Sequence, residues 1–388
     1  MMRARAWAVI AVVCAAIGGA TPSVSAARSP RSTATLHRVW TVRVGQRRRE
    51  VSTPLVSGGA AFVSDGDQLT AVELGTGATR WQTTHTLDPY GAVYLGQPAL
   101  VSGAISTPWL QLRSVGTVAS DPATGAYEQS QGSWYRFGHL VRHRRDSASV
   151  QGALGPGYWQ MTLVYAAPHP GYLGTTGNPA FTDPVFVGSL HIWVGDLQHV
   201  ARFDPGGVCV APPEGYPICE ANAVAPLDGD VVGLAAGADH TLIATTANGL
   251  VEVLDGVDGH ELWRANPGGA VSLPSVAGGV IVVGDSNGIV HAYSATGCAA
   301  PTCAPIWEGA AGSAVATAPA FSNGTVYVAT ADGSVVAFAA SGCGAATCAP
   351  TAVGLSKRAS PVTGGPVVAD GFVVIGTANG KLTAFRTT

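Results

Sequence analysis

Apolar, β-branched runs punctuated by glycine pairs dominate the second half of the chain. Three stretches align on proline without a gap: PSVAGGVIVVGDSNGIVHAYSATG from Pro274, PAFSNGTVYVATADGSVVAFAASG from Pro319 and PVVADGFVVIGTANGKLTAF from Pro366. A turn pair stands at one offset in all three (Gly278-Gly279, Asn323-Gly324, Asp370-Gly371). A second pair follows nine residues on (Asn287-Gly288, Asp332-Gly333, Asn379-Gly380). Such pairs between apolar runs mark two-residue hairpins, because both central residues of a type I′ turn take positive φ. Each stretch therefore predicts strand, tight turn, strand, tight turn, strand.

A fourth strand follows. After a glycine turn the chain reaches a tryptophan: LGTGATRW ends at Trp81, LDGVDGHELW at Trp263 and SATGCAAPTCAPIW at Trp307. Four strands per unit, repeating about every 40–50 residues, predict a β-propeller. Two further units, from Pro54 and over 234–263, match loosely. The last copy stops at KLTAFRTT, after its third strand, while Val39-Trp40 in LHRVWTVRVG reads as the missing fourth strand. Pairing residues 35–46 into the last blade would close the ring and remove an open edge. The expectation is one all-β propeller domain over 35–388, built of four-stranded antiparallel blades. The blades fall at about 47–88, 89–170, 171–224, 225–267, 268–310, 311–354, and 355–388 joined with 35–46. That makes seven, with six or eight as the neighbouring counts. Residues 133–174 break the repeat and read as an insertion or a degenerate blade.

Composition narrows the setting. The 388 residues are 47% hydrophobic and 12% charged, with 51 glycines, 25 prolines and a net charge of −3. That is too apolar for a disordered chain and gives no electrostatic footprint for nucleic acid. Arg3 and Arg5, the apolar run AVIAVVCAAIGGA and the small residues VSA have the layout of a secretory signal peptide over 1–26. The run is shorter than the roughly 20 residues a bilayer requires. Cys14 follows Val13, where a lipoprotein signal would carry a small residue, so no lipid anchor is expected. Residues 27–34 then form a flexible mature N-terminus, and the protein is expected to be extracytoplasmic, secreted or in the cell envelope, with no membrane span after cleavage. Two lysines (Lys357, Lys381) among 21 basic residues, with much alanine and glycine, fit a GC-rich bacterial genome.

Six cysteines remain after the signal. Cys298/Cys303 and Cys343/Cys348 sit in near-identical loops, GCAAPTCAP and GCGAATCAP, directly after a Thr-Gly or Ser-Gly turn. Cys209 and Cys219 flank VAPPEGYPI at the matching place in the third unit. The loops hold no histidine, their spacing is wider than a redox C-x-x-C, and they belong to different blades. Three local disulfides are expected, Cys209–Cys219, Cys298–Cys303 and Cys343–Cys348, each clipping one loop.

Little else carries chemistry. Ten histidines are scattered, and no H-E-x-x-H, G-x-S-x-G or paired-acid motif is present. No catalytic, cofactor-binding or metal-binding residue is assigned. Asn248, Asn287, Asp332 and Asn379 offer oxygen ligands for calcium, but their turn role accounts for them. The blade-end tryptophans read as packing anchors between blades. The 133–174 segment concentrates aromatic and basic residues: Trp134, Tyr135, Tyr158 and Trp159, with Arg142, His143, Arg144 and Arg145. These are types enriched at interface hot spots. One reading makes them an interaction surface, the other an irregular blade with solvated charges.

The unit DGxVxAF…TG…W, present as ADGSVVAFAASG and GDQLTAVELGTGATRW, resembles the propeller repeat of pyrroloquinoline-quinone (PQQ) enzymes and their cofactor-free relatives. Those relatives include the propeller lipoprotein that assists outer-membrane protein assembly in Gram-negative bacteria. The resemblance covers most of the chain after residue 35, weakly through 89–224. It implies the fold and leaves the activity open. Quinone dehydrogenases of this kind carry an adjacent cysteine pair against the cofactor, an acidic base and a calcium site. Here no two cysteines are adjacent, and none of those residues can be placed. The resemblance therefore implies the non-catalytic branch: a binding or scaffolding module for a protein or peptide partner, with no cofactor and no nucleic acid. The alternatives are an enzyme using PQQ with calcium, or a propeller that binds a glycan or small ligand.

Overall fold

Short strands joined by the predicted turns build antiparallel sheets from neighbouring parts of the sequence. A computed structural model describes residues 33–45, 51–84, 86–87, 91–92, 94–95, 97–101, 104–111, 114–125, 127–128, 141–143, 147–154, 159–165, 182, 185–188, 191–196, 198–203, 209–210, 218–219, 221–315, 317–355 and 360–387. Among these residues there is no helix.

The three gapless copies give three consecutive sheets. The first has Ser275–Ala277, Val280–Gly284, Ile289–Ser294 and Trp307–Ala310; the second has Ala320–Ser322, Thr325–Ala329, Val335–Ala339 and Ala352–Gly354. The third has Val362–Ala369, Phe372–Thr377 and Lys381–Arg386, and its fourth strand is Arg38–Arg43 from the other end of the chain. That N-terminal strand runs antiparallel to Lys381–Arg386, with Thr41 opposite Thr383 and their hydroxyls 3.0 Å apart. Among the described residues, pairing begins at Ala34, opposite Ala352.

Upstream, the looser units behave alike. Leu55–Ser57, Ala60–Asp65, Gln68–Glu73 and Thr79–Thr84 form one sheet; Val231–Ala236, Thr241–Thr246, Val251–Asp255 and Glu261–Ala265 form another. Val185–Val187, His191–Asp196, His199–Phe203 and Ala223–Pro226 make a third. Among the described residues, the stretch expected as one long blade at 89–170 is divided between separate sheets, two of them larger than a strand pair. One includes Ala99–Val101, Ala104–Gln111, Ser114–Ser120 and Tyr127–Glu128. The other, Val141–His143, Ser147–Leu154 and Trp159–Tyr165, lies within the segment that broke the repeat.

The first-hairpin turns have the geometry that their residues predict: φ is +58° and +77° at Gly278-Gly279, +49° and +72° at Asn323-Gly324, and +50° and +77° at Asp370-Gly371. The core lies in the seams between consecutive sheets. Trp263, Val253, Ile281 and Tyr293 fill one seam; Trp307, Val282, Val328 and Phe338 fill the next. Leu36, Tyr327, Val373 and Phe385 fill a third, and Trp40, Val63, Val374 and Leu382 a fourth. The middle strands are thus buried on both faces, which is why they read as near-continuous apolar runs.

Candidate functional site

The glycine-to-tryptophan motif is a joint between sheets. Trp307 donates its indole N–H to the carbonyl of Ala340 in the following sheet (3.0 Å), and Gly342 lies against its ring. Trp40 donates to Leu74 (2.7 Å) beside Gly77, and Trp81 donates to Pro122 (3.0 Å) beside Gly125. Gly297 lies against Trp263 in the same way. Each of these glycines has positive φ and no room for a side chain, so the turn of one blade is the seat for the tryptophan of the blade before it. This bears out the packing-anchor reading. Sequence reasoning missed Trp193, which stands on the second strand of its sheet. It nevertheless donates to Gly256 (2.8 Å) and packs on Gly259, replacing the tryptophan that Ala223–Pro226 lacks.

The cysteine loops do more than clip hairpins. Cys298–Cys303 and Cys343–Cys348 are disulfides within their loops. Each loop also adds a parallel strand segment to the outer strand of the preceding sheet. Arg264 donates its backbone N–H to Pro301 (2.8 Å) and accepts from Cys303 (2.9 Å). Thr347–Cys348 pair with Glu308 and Gly309, and Glu308 donates to Ala346 (2.7 Å). At the next joint the N-terminal segment takes this place: Ala34 and Thr35 pair in parallel with Ala352 and Val353. Cys209 and Cys219 are direct partners across the antiparallel pair Cys209–Val210 and Ile218–Cys219. Ile218–Cys219 also lies close to Trp159–Tyr165.

Two polar networks are buried in the blades. His291 stands between two carboxylates, with Nε2 3.2 Å from Asp285 and Nδ1 2.9 Å from Glu308. Asp285 also accepts backbone N–H groups from Asn287 and Ile289. Both ring nitrogens are therefore engaged, which leaves neither to activate a nucleophile. Burial, with the charges of Glu308 and Asp285 added, raises the pKa of neighbouring Tyr293. In the preceding blade, Glu252 is 1% exposed, accepts the N–H of Asp228 (2.9 Å) and lies 3.7 Å from Arg264. Arg264 also pairs with Glu261 and Asp228. Burial outweighs these contacts and raises the Glu252 carboxyl above its ordinary range.

Three of the four turn residues considered for calcium have a side-chain oxygen engaged within the turn, while Asn287 donates its amide N–H to Asp285. Asn248, Asp332 and Asn379 each accept a hydrogen bond from a threonine two residues earlier, Thr246, Thr330 and Thr377, at 2.5, 2.6 and 2.8 Å. At Asn287 the threonine is replaced by Asp285. Asp255, Asp258 and His260 bring three metal-capable groups together. Their oxygens already cap a turn: Asp255 accepts from Val257 and Asp258, and Asp258 accepts from His260, holding its own carboxyl low. Of the proposed interaction surface, Trp134, Tyr135, Arg144, Arg145 and Tyr158 lie outside the described residues. Arg142, His143 and Trp159 are placed by backbone alone, on Val141–His143 and Trp159–Tyr165.

Sheets, seams and joints together have the architecture of a β-propeller. Residues 204–388 match the family model described as outer membrane protein assembly factor BamB, and the resemblance read from the repeat is borne out over that span. No curated protein matches the chain. Among solved structures it is similar to the computationally designed Ika8 protein, at 15% identity over 89% of this chain and 99% of that one, TM-score 0.58. It is also similar to Sqt1 of Saccharomyces cerevisiae, at 12% identity over 91% and 99%, TM-score 0.62. BamB of Moraxella catarrhalis aligns at 14% identity over 91% and 100%, TM-score 0.45. At these identities Ika8 and Sqt1 support the fold alone.

Proposed function

We propose that this chain is an exported, non-enzymatic propeller that works by holding a protein or peptide partner in the cell envelope or outside the cell. The observation that carries the reading is the match of residues 204–388 to a family described as an outer membrane assembly factor. Two disulfides fit an oxidising compartment, and residues 1–26 have the layout of an export signal. The aromatic and basic residues of 133–174 are the proposed contact. No quinone is expected to bind, because the chain lacks the adjacent cysteines such enzymes place against it.

Two experiments test this. Affinity capture from envelope fractions should recover a partner with the full chain and lose it when Arg142, His143, Arg144 and Arg145 are replaced by alanine, with the fold intact by circular dichroism. The same partner recovered by both chains would remove these four residues from the proposal. Adding PQQ with calcium should give neither a thermal shift nor dye-linked turnover; either one would overturn the non-enzymatic reading.

A further inference from the structure

The chain contains four Asn-Gly dipeptides, at Asn248, Asn287, Asn323 and Asn379. Asn-Gly is the sequence most open to spontaneous deamidation, because glycine leaves its own N–H unshielded as a nucleophile. The fold treats the four differently. At three of them both reacting groups are restrained. Asn248 accepts from Thr246 and donates to Asp228, while Gly249 N–H donates to Thr246 (2.9 Å). Asn287 donates to Asp285, and Gly288 N–H donates to Asp285 (3.2 Å). Asn379 accepts from Thr377, and Gly380 N–H donates to Thr377 (3.1 Å). Gly249 and Gly288 also press against the backbone of the following blade, at Gly269 and Ser313.

Asn323-Gly324 is different. It forms the tip of the Ala320–Ser322 and Thr325–Ala329 hairpin, where both residues are exposed. Neither the Asn323 amide nor the Gly324 N–H has a hydrogen-bond partner among the described residues. A side chain added at Gly324 would meet nothing within 4 Å, so the turn is open in that direction, and of the Gly324 peptide groups only the carbonyl is engaged, by the N–H of Ala340 (2.8 Å). We propose that Asn323 is the protein's selective deamidation site and, once converted, a substrate for an enzyme that methylates isoaspartate. The Gly324 nitrogen loses its proton to water and attacks Cγ of Asn323, and the side-chain nitrogen leaves as ammonia. Water then opens the succinimide at either carbonyl, giving aspartate or isoaspartate. The net change is amide plus water to carboxylate plus ammonium, with no oxidant or reductant. The turn gains a negative charge and, in isoaspartate, one extra backbone methylene.

The test is ageing of the folded, disulfide-intact protein at mildly alkaline pH. Cleavage after aromatic residues isolates Asn323 between Phe321 and Tyr327, away from Asn287. The 322–327 peptide should gain about 1 Da per event and accept methyl groups from an isoaspartate methyltransferase. It should convert at least about tenfold faster than the peptides holding Asn248, Asn287 and Asn379, as their retained hydrogen bonds require. In denaturant the four rates should converge, which assigns the difference to the fold. Equal rates in the folded protein, or faster conversion at any of the other three, would overturn the proposal.

Discussion

At the scale of single residues, the glycine turns separate two demands, a left-handed backbone and a tight neighbour. Gly342 has φ +77°, and a Cβ there would stand 2.6 Å from the Trp307 ring; Gly344, two residues on, has φ +83° and open space around it. Gly342→Ala should therefore cost about 3 kcal/mol, combining backbone strain with overpacking. Gly344→Ala should cost only about 1 kcal/mol, from the backbone alone. Denaturant unfolding of the two variants checks the difference, and equal losses would refute the seat. Glu252 gives a pH test. Its folded-state pKa is raised, so the fold binds this proton more tightly than the unfolded chain does. Stability from this group is full at low pH and falls as pH rises from the unfolded value through the folded one. Glu252→Gln keeps an acceptor for Asp228 and should raise the melting temperature at neutral pH relative to that at low pH, flattening that decline. An unchanged pH profile of the melting temperature would contradict it. These polar residues were only partly legible in sequence. Thr70, Glu252, His291 and Thr383 occupy one repeat position on the third strand, and all are buried. That shared offset was the available signal. Their partners on the fourth strand could not be read, because the residues between vary in number.

At the scale of elements, hairpins were readable because glycine pairs announce positive φ, whereas the joints between blades were not. The cysteine loops looked purely local, since both ends of each disulfide lie within one loop. Their parallel pairing with Arg264 and with Glu308 is set by the neighbouring blade, which no local pattern encodes. The structure therefore makes each disulfide the brace of an inter-blade strand. Replacing Cys343 and Cys348 by serine should speed exchange of the Glu308 amide at least tenfold, about 1.4 kcal/mol of lost local protection, while the Arg264 amide stays protected. The reciprocal change at Cys298 and Cys303 should reverse the pattern. Exchange unaltered at both amides would show that the loops hold their places without the sulfur bridge. Trp193 shows a second limit: a fixed repeat offset finds tryptophans on the fourth strand and overlooks one that serves the same seam from the second.

At the scale of the whole molecule, the repeat made the propeller legible, and the unpaired ends of the pattern pointed to the N-terminal strand. The long second unit concealed separate sheets, because the turn pairs that delimit blades elsewhere are absent from its sequence. The sheet shared by residues from both ends of the described chain ties the architecture together. Arg38–Arg43 supplies its fourth strand, Trp40 joins it to the sheet that follows, and Ala34–Thr35 pair with the sheet before it. Removing residues 33–46 would uncover Leu382 and Ala384, delete Leu36 and Trp40 from two seams, and leave Lys381–Arg386 as an open edge. Burying two large side chains of this kind is worth about 2–3 kcal/mol each. Thermal unfolding of the chain lacking 33–46, beside the full chain under the same oxidising conditions, is the direct test. A melting temperature lower by about 10 °C or more, or loss of a cooperative transition, is the predicted result. An unchanged melting temperature would contradict the account.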